Sequence, residues 1–287
     1  MSRAFLKRRR TIRKTTFGRV FVFVFLLVWC VLFFGLLAWL FINSFKDRVQ
    51  YVTDKVGFPA EWKFSNYINA FKSLSATDKS VPVMLWNTMW RIFGSMFLGT
   101  LSSHVVAYTL AKYKFKGRNA LYWTAILIGM IPIYGSMGSA LKLFSALGMY
   151  DTPLFIFSSI GIGGILIPYS CYRSLSWEYA EAAFIDGAGH FTVFFKVMLP
   201  QMTPIITALA VTGFVGAWND YMTPLVYLPS YPSLATGLYI YEVECQRTMN
   251  YPILFCGLIM SILPVLVLFI SFQNTFMELD IGGGLKG

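Results

Sequence analysis

The residues able to do chemistry in this chain occupy two kinds of setting. Glu181 and Asp186 stand close together in a loop, Tyr172–Pro204, that separates two apolar runs. Carboxylates so placed can accept charge-assisted hydrogen bonds from basic residues of a partner. Around them Ala182, Ala183, Gly187 and Ala188 leave little side-chain bulk, so the same stretch can enter a cleft. The second setting is inside the apolar runs, where Asn219, Asp220, His104, Ser102, Ser103 and Tyr134 are polar. Such groups are default candidates for a passage, and they also bind helices to one another. Catalysis finds no comparable constellation. No GxxxxGK[ST] phosphate loop is present, Cys30, Cys171, Cys245 and Cys256 form no CxxC pair, and a lone His104 makes no metal site. No catalytic or metal-ligating residue is expected.

The elements that hold these groups follow from composition. Hydrophobic residues make up 56% of the 287 and charged residues 13%, against about 25% charged in soluble domains. Six apolar runs can each cross hydrocarbon about 30 Å thick, which takes about 20 helical residues. They are Val20–Ile42, Ile92–Ala111, Ala120–Leu141, Pro153–Cys171, Ile205–Leu228 and Ile253–Phe272. None alternates polar and apolar residues as a membrane barrel would, so an all-α polytopic membrane protein with six transmembrane helices is expected. Pro132, Gly161, Gly163, Gly164 and Pro168 inside runs are compatible with helix where neighbours satisfy the backbone. The first run is too long for a signal-peptide core and reads as a retained span. The chain divides into a basic tail (1–19), a six-helix domain (20–274) and a C-terminal tail (275–287).

Charge orients the bundle. The net charge is +11, and eight of the 24 Lys and Arg precede the first run. Directly beside a span, this reads as a tail held in the cytoplasm by the positive-inside rule rather than as a nucleic-acid arm. With both termini inside, fifteen Lys and Arg fall in inner segments and seven in outer ones. Arg91 and Lys142 sit at run ends and are expected to snorkel to water. The first outer loop, Asn43–Asn87, reads as a turn at Phe58–Trp62 and a short interfacial helix at Phe64–Leu74, with Trp62, Tyr67 and Trp86 at the headgroups.

The Tyr172–Pro204 stretch reads as a helix–turn–helix on the cytoplasmic face. Ser176 can cap a helix starting at Trp177, with Glu178 in its first turn. Glu178, Glu181, Ala182 and Ile185 then share one face. Gly187 permits the left-handed turn that ends the helix. A second amphipathic helix is expected at Phe191–Leu199, broken by Pro200 and Pro204 before the fifth span.

At these residues the chain resembles the permease subunits of importer-type ABC transporters. Their coupling-loop pattern is E-A-A, three residues, G, nine residues, I-x-L-P. It matches Glu181-Ala182-Ala183, Gly187 and Val197-Met198-Leu199-Pro200, with Val197 in place of Ile. The run Glu181–Ala188 resembles the form found in carbohydrate importers. Ala217-Trp218-Asn219-Asp220 is similar to the W-N-[DE] motif of their fifth span. Gln273 and the ending Gly282–Gly287 are similar to their tail. Asn43-Ser44-Phe45-Lys46 and Lys114–Arg118 resemble short stretches after their first and second spans. The likeness covers nearly the whole chain and is nearest the smaller, maltose-transporter-type subunit.

The resemblance implies a sugar or oligosaccharide importer in the bacterial cytoplasmic membrane. Its implied partners are a second homologous permease, two ATP-binding subunits, an extracytoplasmic sugar-binding protein and lipid, with no nucleic acid. This chain would bind no cofactor, because ATP and magnesium belong to the ATPase subunits. Glu181, Ala182, Ala183, Asp186, Gly187, Ala188, Leu199 and Pro200 would carry the ATPase contact. Trp218, Asn219, Asp220, Tyr221, Tyr134, Ser103 and His104 would line the pathway, with Trp218 and Tyr221 as aromatic faces for sugar. Tyr231, Tyr239, Tyr241, Glu242 and Glu244, in the loop Pro229–Asn250, would meet the binding protein, and Ile281–Gly287 would reach between the ATPases. Two readings compete. One changes the cargo to a sugar phosphate, amino acid, polyamine or phosphate. The other makes the chain a stand-alone secondary transporter or membrane enzyme, whose paired repeats or clustered catalytic groups the sequence lacks.

Overall fold

The computed structural model describes residues 2–130, 136–161 and 164–283, with side chains described between residues 18 and 273 of those ranges. In chain order the helices are α1 (Ser2–Ser44), α2 (Arg48–Thr53), α3 (Ser65–Ser73), α4 (Val81–Lys112), α5 (Arg118–Met130), α6 (Met137–Ala146), α7 (Leu166–Ser174), α8 (Glu178–Ile185), α9 (His190–Thr192), α10 (Thr203–Asn219), α11 (Met222–Tyr227), α12 (Leu234–Thr248) and α13 (Tyr251–Gly283). No strand forms among the described residues.

Among the described residues, three helical stretches are long and apolar enough to cross a membrane: Gly18–Ser44, His190–Asn219 and Tyr251–Gln273. They contain the first run, most of the fifth, and the sixth. The second run lies in α4, whose 32 residues span about 48 Å at 1.5 Å each. Side chains from Val20 to Leu37 are all exposed, as a lipid-facing helix requires.

The expected six transmembrane helices are not continuous in the fourth and fifth runs. In the third run, α5 covers Arg118–Met130 and α6 covers Met137–Ala146; Pro132 and Tyr134 lie outside the described residues. The fourth run is a 3-10 turn at Pro153–Ser159, an extended residue at Ile160, and then α7. Gly164 has φ +73, which a helix interior cannot accept. Closely spaced glycines make this cheap, since each loses more freedom in a helix than Ala does. The fifth run breaks at Asp220, which takes ψ 101 before α11 begins.

The prolines behave differently from expectation. Pro200 and Pro204 do not separate the hairpin from the fifth crossing, because helical turns continue from His190 to Asn219. Val193–Met198 form a π turn, and the Leu199 amide donates to Phe194 O five residues back at 2.8 Å. The widened turn delivers the chain to Pro200, which opens a 3-10 turn. Pro204 falls in the first turn of α10, where its missing N–H would have had no partner.

The chain forms two compact units. The first comprises Met1–Phe71 with Glu244–Ile259. Here Asn43, Ser44, Phe45 and Lys46, expected at the start of the first outer loop, are buried. Asn66 Nδ2 donates to Ser44 O (2.8 Å) and Lys46 O (2.9 Å). Lys46 Nζ donates to Asp54 O at 2.8 Å. The Phe45 ring lies 5.0–5.4 Å from those of Trp62, Phe64 and Tyr67. Tyr67 therefore packs inward, its hydroxyl 2.9 Å from Ser44 Oγ, while Trp62 and Trp86 stay exposed. At the rim Lys63 pairs with Asp47 at 2.9 Å, and its hydrogen bond holds that carboxyl below its ordinary range. The interfacial helix appears as α3, one residue inside its expected bounds at each end.

The second unit comprises Lys72–Val243 with Met260–Gly287. Its principal core gathers Ala107, Tyr108 and Leu110 of α4, Ala125 of α5, Ile165, Tyr169 and Tyr172 at α7, Ala180 of α8, and Val193, Phe194, Met198 and Met202. The hairpin expected at Tyr172–Pro204 thus shares one core with α4 and α7.

Candidate functional site

The hairpin is built by local chemistry. Ser176 Oγ accepts the Glu178 amide at 3.2 Å, and Glu178 and Glu181 occupy the first turn of α8, where their charge favours the helix dipole. The other end closes in a Schellman arrangement. The Ala188 amide donates to Ala183 O (3.0 Å) and the Gly187 amide to Phe184 O (3.0 Å), with Gly187 at φ +83. Both expected signals are therefore present.

Packing then sorts the faces. Ala180 is fully buried, and Ala183, Phe184, Ala188, Val197 and Leu199 pack against the core. Glu178, Glu181, Ala182, Ile185, Asp186, Gly187 and Pro200 are exposed. Of the residues expected to form the contact, Ala183, Ala188 and Leu199 are turned inward and shape it, while the other five are open to a partner. Sequence reasoning passed over Tyr179 and Phe191, the latter 82% exposed beside Ile185 at 86%. Large apolar groups among three carboxylates make a surface suited to an amphipathic, basic cleft.

Two further supports were not foreseen. Tyr113 Oη and His190 Nδ1 share a hydrogen bond at 2.8 Å, and the Tyr113 ring also lies edge-on to Trp177. Lys112 Nζ donates to Leu175 O. The end of α4 thus touches both arms of the hairpin. Lys112 and Tyr113 directly precede the basic turn at Lys114–Arg118.

Among the described residues, the pathway candidates have separate partners. Trp218 is buried, donates from Nε1 to Ser261 O (3.0 Å) and stacks on Phe214 at 5.7 Å. Its role in this structure is helix packing. His104 is buried with Nδ1 3.1 Å from Tyr172 Oη. Ser102 and Ser103 donate to carbonyls of their own helix. Asn219 is exposed and donates to Val215 O at 2.9 Å. Tyr221 stacks on Tyr239 at 4.4 Å, so one of its faces is taken. Along the outer loop, α12 buries Leu234, Leu238, Tyr241 and Cys245, a helical stripe. Tyr241 is thereby withdrawn from any docking role, whereas Glu242 and Glu244 are exposed and Tyr231 and Tyr239 half-buried.

Arg91 corrects the snorkelling expectation. Its side chain is only 8% exposed and pairs with Asp220, Nη1 to Oδ2 at 3.2 Å. Nη2 donates to Ala217 O at 2.8 Å, and Asp220 Oδ1 accepts the Thr223 amide at 3.0 Å. The available signal was one cation in the second run's approach and one carboxylate inside the fifth, since opposite charges beside hydrocarbon find each other.

The family described as binding-protein-dependent transport system inner membrane component matches residues 8–275. The diacetylchitobiose uptake system permease protein of Streptomyces coelicolor is 28% identical over 255 residues, covering 87% of this chain and 83% of its own. The arabinooligosaccharides transport system permease protein of Halalkalibacterium halodurans is 32% identical over 207 residues, 70% of this chain and 73% of its own. The galactooligosaccharides transport system permease protein of Bacillus subtilis is 28% identical, with coverage of 98% and 99%. A solved chain of a bacterial ABC transporter involved in the import of the acidic polysaccharide alginate shares the fold, with TM-score 0.74 at 20% identity over 91% of this chain and 97% of that one.

Proposed function

This chain belongs to the family of inner membrane components of binding-protein-dependent transport systems, and from that premise we propose that it is the membrane-spanning permease subunit of an ATP-driven importer for a sugar or oligosaccharide. The sugar class is supported by its relatives, which are permease proteins of diacetylchitobiose uptake, arabinooligosaccharides transport and galactooligosaccharides transport systems. The observation that carries the reading is the hairpin: its first helix is capped at both ends by its own residues, and Glu181, Ala182, Asp186 and Gly187 are open to a partner.

The mechanism follows from its mounting. A motor can drive a conformational cycle only by touching two states of the permease differently. A hairpin sharing a core with α4 and α7 passes a push to those helices instead of yielding itself. Two ATPase subunits would seat on this hairpin and on its counterpart in a second, homologous permease. ATP and magnesium stay with the ATPases, and this chain supplies the handle. The basic N-terminal tail supports a cytoplasmic position for the hairpin and both termini. A binding protein would deliver sugar on the other side, against the exposed Glu242 and Glu244.

The test is purification of the tagged chain from membranes with its ATPase, followed by hydrolysis assays with the binding protein loaded from an oligosaccharide panel. Stimulation by a loaded binding protein is expected. A chain that moves solute alone, or a hairpin labelled from outside the cell by a membrane-impermeant thiol reagent at Ala182→Cys, overturns the proposal.

A further inference from the structure

We propose that Arg91 and Asp220 are positioning residues: a polar joint that fixes the break in the fifth crossing and couples it to the outer loop at 229–236. The inference rests on the transport reading above and adds a site to it.

The break leaves two raw helix ends beside hydrocarbon. Asn219 ends α10, and α11 starts at Met222. Each end has unsatisfied backbone groups that must find partners. Arg91 serves the first, donating to Ala217 O at 2.8 Å and lying 3.5 Å from Asp220 O. A cation there also meets the negative end of the α10 dipole. Asp220 serves the second by accepting the Thr223 amide. The ion pair then ties the two caps together. Neither charge is spare: each caps one half-helix and neutralises the other.

The same face of α4 holds the outer loop. Asn87 Nδ2 donates to Pro232 O at 3.2 Å, and Thr88 Oγ1 accepts the Leu234 amide at 3.0 Å. From the loop, Ser233 Oγ lies 3.5 Å from Asp220 O, and Thr236 Oγ1 donates to Tyr221 O at 3.1 Å. Displacing residues 231–236 therefore pulls on the carbonyls of the break itself. Arg91 Nε, buried, has no hydrogen-bond partner. A static strut is stabilised by satisfying every donor. A donor held in reserve suits a joint with a second arrangement, in which the guanidinium turns against Asp220. Apolar residues would fill this space at comparable stability, so packing alone does not call for the pair.

The experiment uses the reconstituted assembly, purified through this chain, with ATP hydrolysis read with and without the loaded binding protein. Asp220→Asn keeps the acceptor for Thr223 and removes the charge. Arg91→Gln and Asp220→Asn are each expected to cut binding-protein stimulation about tenfold. The double variant loses no more than the worse single, and Arg91→Lys recovers part of the loss. A direct sugar contact at Asp220 would instead leave Arg91→Gln stimulated. Normal stimulation in Asp220→Asn, or losses that multiply in the double variant, overturns the inference. Should Arg91→Gln fail to assemble, Asp220→Asn and Thr236→Val decide, since both must lower stimulation. A wild-type assembly indifferent to the binding protein removes the transport reading, and the inference with it; an assembly stimulated normally but insensitive to these variants removes the inference alone.

Discussion

The hairpin at Glu178–Met202 and the joint at Arg91–Asp220 are both short polar devices beside apolar helices, and they are built in opposite ways. The hairpin meets its needs locally. Ser176, Gly187 and Ala188 satisfy the ends of α8 within a dozen residues of chain, and its carboxylates face outward. The joint joins residues 129 positions apart, is largely buried, and leaves one donor unmatched. A surface gripped by a motor must keep its shape while unoccupied, so the caps of its helix are built from its own neighbours. A joint must have somewhere to go, so its bonds are long-range and incomplete.

The sharpest test of the hairpin is Gly187→Asp. An added Cβ meets nothing within 4 Å, so the penalty is the left-handed backbone alone, about 1–2 kcal/mol. The protein is expected to reach the membrane while uptake of labelled sugar falls about 100-fold, as for a central contact residue. Normal uptake would return the hairpin to an ordinary connection. A second contrast lies within one helix. Ala180→Leu overpacks a fully buried position and should lower stability in detergent by about 1–3 kcal/mol. Ala182→Leu, on the exposed face, should leave stability within about 0.5 kcal/mol yet block ATPase recruitment in a pull-down. Equal effects of the two would erase the distinction between foundation and contact face.

Smaller effects probe the supports. Tyr113→Phe removes one hydrogen bond to His190 and should cost about 1 kcal/mol, read as faster proteolysis of the hairpin with secondary structure retained. Smallest is the double reversal Glu242→Lys, Glu244→Lys. Rim charges act mainly on encounter, so the association rate of the binding protein should fall a few-fold at low salt and recover at high salt. No salt dependence would take these carboxylates out of the docking surface.

Reading from sequence succeeded where the signal was local. The hairpin's first helix, its Ser176 start, its Gly187 stop and the helix at 65–73 depend on neighbours within a few residues, and all are present. One local reading failed: Pro200 looked like a stop because sequence does not show that a π turn at Val193–Met198 would prepare for it. The other failures lie where two separated segments decide. The burial of Asn43–Lys46 was not legible because the acceptor for the Lys46 ammonium and the Asn66 side chain that seals the stretch come from later in the chain. Arg91 at a run's end looked free to snorkel until Asp220 supplied a nearer counter-charge.

The sequence by itself determined the solvent, the helical class and the hairpin, because bilayer length, apolar composition and helix capping are short-range requirements written in adjacent residues. Tertiary structure alone decided which hairpin residues face a partner, where the fourth and fifth crossings break, and that Arg91 belongs to Asp220. Those outcomes depend on which surfaces are covered, and burial is a property of the packed molecule, not of any stretch within it.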